Sequence, residues 1–158
     1  MINKMLRHTA PALILLACVS SAFGQAATTT SVGSGWGENP SPELLSSRPI
    51  LGQTALLFAM NCQPSSVSYF AVSAPPASSQ HIGNGFYFHV DLSVYLTYGP
   101  LLTDAGGTLL FPLLLDFPPS SSGDEVILQL LTVYTSSLPD FMINLEVTNG
   151  VLWKFGTF

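Results

Sequence analysis

A period of two runs through this chain from Thr54 to Phe155, and no other pattern in it limits the fold so tightly. In its clearest stretch Phe86, Phe88, Val90, Leu92, Val94, Leu96 and Tyr98 alternate with Tyr87, His89, Asp91, Ser93, Tyr95 and Thr97. Successive side chains of a strand point to opposite faces, so this pattern predicts a half-buried strand, apolar on one face and mixed polar on the other. Its length is beyond that of an ordinary strand, which predicts a bend or bulge midway.

Other segments fill in the same picture. Thr54–Met60 and Val67–Ser73 read as short apolar strands on either side of Gln63-Pro64-Ser65. Thr108–Leu115 is apolar on both faces and interrupted by Pro112, which cannot donate to a ladder, so an edge or bulged strand is expected. Glu125–Tyr134, apolar on both faces with Gln129 inside it, is expected to be central. Ile143–Thr148 and Val151–Phe155 flank Asn149-Gly150, the dipeptide that most favours a two-residue hairpin. Pro42–Leu45 reads as a single helical turn started by Ser41, and Thr28–Ser34 as an edge strand. The whole predicts an all-β fold, an antiparallel β-sandwich of about seven or eight strands, with a small β-barrel as the alternative.

Three zones divide the chain. Residues 1–24 carry Lys4 and Arg7, then the short apolar run Ala10–Val19, then Ala22 and Gly24 at the positions a signal peptidase reads, and so are expected to be a cleaved leader. Leu15-Leu16-Ala17-Cys18 offers an alternative, lipidation of Cys18 and anchoring to a membrane. Residues 25–49, rich in Thr, Ser, Gly and Pro, read as a loosely ordered entry segment, and 50–158 as the sandwich. Secretion, or a periplasmic address, follows as the expected localisation.

The charge balance excludes some partners. Without the leader, only Arg48 and Lys154 stand against nine acids, a net of −7. Such a chain cannot neutralise phosphates, so nucleic acid is not an expected partner. With Cys18 removed, Cys62 is alone; its neighbours Phe58 and Met60 lie on an apolar strand, so burial is expected. Asn39 is followed by Pro40, which leaves no N-glycosylation acceptor.

His81-Ile82-Gly83-Asn84, Leu113-Leu114-Leu115-Asp116-Phe117-Pro118, Gly123 to Gln129, Thr148-Asn149-Gly150 and Gly156 together resemble a pattern in exported proteins of planctomycete-like bacteria. In those, an "IGN" turn, an "LPLDLP"-like strand, a "G…V…LQ" strand and a "TN…G" hairpin recur in one domain. The resemblance spans roughly residues 80 to 157 and departs at Phe111-Pro112 and in lacking a Cys pair. It implies export and a β-fold, and lends no activity.

Candidate sites are few. Tyr87, His89, Asp91 and Tyr95 share the polar face of the long alternating segment and form a candidate binding row. His89 and Asp91 would make an acid–base or metal pair only with a third group such as His81, Asp104 or Asp116. Asp116, Asp124 and Glu125 flank the Ser120-Ser121-Ser122 loop and could hold calcium through oxygen ligands. No nucleophile elbow or phosphate-binding loop occurs, and Asp104-Ala105-Gly106-Gly107 reads as a plain turn. Tyr87, Tyr95, Tyr134, Trp36 and Trp153 could form an aromatic platform for sugar rings, although Trp153 is expected in the core with Val151 and Phe155. These features predict a non-enzymatic module of the cell envelope or extracellular matrix, with a glycan or envelope component as partner. One rival is a pilin-like subunit that self-associates by donating its N-terminal segment as a strand to a neighbour; another is a hydrolase with dispersed catalytic residues.

Overall fold

The computed structural model describes residues 24–37, 40–76, 78–83, 85–93, 95–135 and 143–158. Residues 1–23, on which the expected leader and Cys18 fall, lie outside the described residues, as do Glu38, Asn39, Asn84 and Val94. Eleven strands are found among the described residues, more than the seven or eight expected. They are β1 (Thr28–Val32), β2 (Glu43–Ser46), β3 (Thr54–Met60), β4 (Val67–Ser73), β5 (Gln80–Gly83), β6 (Phe86–Phe88), β7 (Leu96–Leu102), β8 (Leu109–Leu114), β9 (Glu125–Thr135), β10 (Ile143–Val147) and β11 (Gly150–Lys154). A 3₁₀ turn at Pro119–Ser121 precedes β9.

The pairings are antiparallel and the sheets do not close into a barrel, so the fold is an all-β sandwich. The main sheet runs β1-β11-β9-β4-β7, with β10 beside β11 along the same edge of β9; β2-β3-β8 form a second sheet and β5-β6 a small third one. The main core lies between the first two. Ala55, Leu57 and Ala59 of β3, with Leu44 and Leu109, face Phe70, Leu128, Leu130, Val151 and Trp153 of the main sheet. Alanines on β3 leave room for the large rings and leucines opposite, and each fully buried Phe or Leu contributes about 2–3 kcal/mol. Trp153 is thus a core residue, and its indole N–H donates to Ser46 Oγ at 2.7 Å. Cys62 is buried as expected.

The opposite face of the main sheet is covered too. Val90, with Phe88 and Leu92 around it, packs on Ala71, Ile127, Val32 and Leu152. The single long strand expected from Phe86 to Tyr98 is therefore not formed. Residues 86–88 pair with β5, the chain then leaves strand geometry to lie across the main sheet, and a strand resumes at Leu96 beside β4. Before the break the apolar row is covered, with Phe86 and Val90 buried, whereas Leu96 and Tyr98 of β7 stay exposed.

Two buried primary amides stitch these layers. Asn149 Oδ1 accepts from Leu44 N at 2.7 Å, while Nδ2 donates to Leu44 O at 3.1 Å and to Ser31 Oγ at 2.9 Å. The side chain thus pairs with the outer edge of β2 as a neighbouring strand would, and ties the second sheet and β1 to β11. Gln129 does the same on the other face: Oε1 accepts from His89 N at 3.0 Å, and Nε2 donates to Tyr87 O and Thr148 O.

Asn149-Gly150 is consequently not a hairpin turn. Val147 faces Leu131 and Val151 faces Leu128, so both strands run along β9 and three residues between them oppose two, a bulge. A type I′ turn needs positive φ at both central residues, and neither Asn149 nor Gly150 has it. The expected helical turn at Pro42–Leu45 is instead the start of β2, because Leu44 completes the core. Segment 25–49 supplies β1 and β2 to the two larger sheets, and β1 is paired in register with its own β11, Thr28 against Lys154 through Val32 against Gly150.

Candidate functional site

The candidate binding row of Tyr87, His89, Asp91 and Tyr95 is dispersed by the break after β6. Tyr87 is exposed and rests against the His81 ring at 4.7 Å between centroids. Asp91 turns back on its own loop, its Oδ1 accepting from Ser93 N at 2.8 Å and Ser93 Oγ at 2.6 Å. Tyr95 is exposed beyond that loop. His89 goes inward, 4% exposed, correcting the expectation that it faces solvent. Its Nδ1 shares a hydrogen bond of 2.7 Å with Ser79 Oγ, and its buried Nε2 has no hydrogen bond of ordinary geometry. Burial pushes the imidazole below its usual pKa, with the Ser34 backbone pulling weakly the other way. The ring fits because Gly33, at φ 67°, and Gly150 present no side chain to it: a Cβ on Gly33 would collide with the imidazole, and one on Gly150 would sit 2.7 Å from His89 Cβ.

The acids do not assemble either. Glu125 pairs with Lys154 across the strands at 3.6 Å, and the backbone of Asp124 is bonded to Phe155 and Ser121. Asp104 Oδ1 accepts from Gly106 N and Thr108 N at 2.8 Å, which makes the plain turn read from the sequence. Among the described residues no three His, Cys, Asp or Glu side chains are grouped to hold a metal ion, so Asp116, Asp124 and Glu125 are not brought together. Glu146, by contrast, escaped the sequence reading. It sits on the inward row of β10, buried, where its carboxylate accepts from Gln63 N and helps raise the Cys62 thiol to about 12, after desolvation. A thiol held so far from ionisation is inert at neutral pH.

What the fold does assemble is aromatic. Trp36 bridges Val147 on the far side of β10 from β9, donating to Val147 O at 2.8 Å and accepting from Val147 N at 2.9 Å. Phe86 of β6 lies 5.4 Å from the Trp36 ring and 4.8 Å from Phe88, so the three rings buttress one another. Tyr134 and Asn144 face each other across β9 and β10. Together Trp36, Phe86, Tyr134 and Asn144, rimmed by Ile82 and Ile143, enclose an open groove of about 360 Å³. Among the described residues no charged side chain lines it. A second hollow of about 260 Å³ between the β1–β2 connection and Asn149 is lined by Ser31, Ser34, Ser41 and Glu43 and has no aromatic face. Trp36 and Tyr134 were visible in the sequence as aromatics off the core rows; Phe86 looked like core, and only the third layer brings it to them. Comparison with family models, with curated proteins and with solved structures finds no match to the chain.

Proposed function

We propose that this chain is an exported, non-enzymatic β-sandwich module of the cell envelope or extracellular matrix that binds a neutral glycan in the groove of Trp36, Phe86, Tyr134 and Asn144. The observation that carries the reading is the chemistry of that groove. Sugar rings present C–H faces that pack on aromatic rings and hydroxyls that pair with an amide, and the described lining, which carries no charge, suits a ligand without charge. The leader-like N-terminus and the low overall charge support export.

Tryptophan emission offers a direct test, since Trp153 is buried in the core and Trp36 borders the groove. Titration with a panel of neutral oligosaccharides should shift the emission of one member's complex, and Trp36→Ala should abolish binding while leaving the circular dichroism unchanged. A panel with no binder, or binding that survives both Trp36→Ala and Tyr134→Ala, would sink the proposal.

A further inference from the structure

The second sheet is apolar on both of its faces, and the described residues cover only one. Its inner face carries Leu44, Leu57 and Leu109 into the core. Its outer face carries Leu45, Leu56, Phe58, Leu110, Pro112 and Leu114, with Leu45 opposite Phe58, Phe58 opposite Leu110, and Leu56 opposite Pro112 across the strands. Leu110 and Leu114 are 60% and 62% exposed. Strands that read as unbroken apolar runs are those buried on both sides, whereas a solvated face ordinarily alternates to polar. Thr54-Ala-Leu-Leu-Phe-Ala-Met60 and Leu109-Leu-Phe-Pro-Leu-Leu114 are such runs.

We infer that this outer face packs against the same face of a second copy of the chain, sheet on sheet about a two-fold axis. Three observations select that occupant. First, the chain is acidic, net −5 over its full length, so two copies repel wherever acids meet; Glu43, at one corner beside Met60, is the sole charged residue among the outward-facing positions of the three strands. The face therefore complements itself and offers nothing to a charged partner. Second, the neighbouring free edges, β7 and β8, each contain a proline, Pro100 and Pro112, which disfavours edge-to-edge strand addition and leaves face packing as the way to bury these leucines. Third, the size fits a reversible dimer. Three strands of about six residues cover roughly 14 by 20 Å, about 300 Å² per copy, well short of the ~800 Å² per partner of a standard stable interface. The dimer is accordingly weak, dissociating in the micromolar range or above.

Sedimentation velocity of the purified protein from about 1 μM to about 500 μM reads this directly. The wild type should pass from monomer to dimer across that range. Leu56→Lys and Leu110→Lys, both at exposed positions, should stay monomeric throughout, a rise of at least tenfold in the dissociation constant, with unchanged circular dichroism. Leu110→Thr, which keeps a strand-favouring residue, takes their place should lysine disturb the sheet. A wild type that remains monomeric, or variants that dimerise like the wild type, would overturn the inference. So would flotation of the wild-type monomer, but not of the variants, with phosphatidylcholine vesicles, which would assign the face to lipid.

Discussion

Replacing Asn149 by Ala removes a side chain that bonds β1, β2 and β11 together, and its cost can be worked from the partners left behind. Leu44 is 0% exposed, so its N–H and C=O, which now pair with the Asn149 amide at 2.7 and 3.1 Å, would have no water to turn to. A buried polar group stripped of its partner costs about 1–3 kcal/mol, and two such groups place the loss at about 3–5 kcal/mol. That is a large share of the 5–15 kcal/mol expected of a single domain. Asn149→Asp separates hydrogen bonding from volume. It keeps the shape and the acceptor toward Leu44 N, but sets an oxygen where Nδ2 donates to Leu44 O and Ser31 Oγ, so it should cost at least as much as Ala. Urea unfolding followed by the emission of buried Trp153 gives both values. Losses under about 1 kcal/mol for the two variants would show that the amide holds nothing, and the stitching of the sheets would need another cause.

Two further outcomes follow from His89. Its folded pKa lies below 6.5, so the unfolded chain binds more protons in the window beneath that value; stability present above pH 6.5 should fall on acidification, and His89→Gln should flatten that part of the profile in paired melts. Gly33→Ala must hold a positive φ and displace the imidazole, and should cost about 2–4 kcal/mol, whereas Gly52→Ala, also at positive φ but with nothing within 4 Å of the new methyl, should cost about 1 kcal/mol; equal losses in the two melts would remove the contact with His89 from the account.

Strands whose partners lie on both sides were legible almost to the residue: β3, β4 and β9 begin where their apolar patterns do, and β8 takes the edge position that Pro112 demanded. What escaped was decided by residues far away in the chain. Whether Asn149-Gly150 turns or bulges depends on Leu44, 105 residues earlier, presenting a bare strand edge to the amide. Whether His89 faces water depends on Gln129 capturing its backbone N–H and on two glycines leaving space for its ring. Alternation in 86–98 persists although Phe86 and Val90 are buried while Leu96 and Tyr98 stay exposed, so the break between β6 and β7 was signalled by the length of the run and not by its pattern. The groove was illegible for the same reason, since Trp36, Phe86 and Tyr134 come from three separate elements.

The bulge at Asn149 also bears on how the protein ages. An Asn-Gly step is the peptide sequence most prone to lose its side-chain amide, because the following nitrogen can close onto the side-chain carbonyl when the backbone is free to swing. Here the amide is clamped to β1 and β2, and Gly150 is fixed in the sheet opposite Val32. The folded chain therefore shields this step, one of two Asn-Gly steps in the sequence with Asn84-Gly85, while each excursion to the unfolded state exposes it. Conversion to aspartate would then set an oxygen against the Leu44 carbonyl, so a molecule damaged while open would close again less firmly. The fraction of chains carrying aspartate at 149, read by mass spectrometry of aged protein, becomes a cumulative record of the time each has spent unfolded.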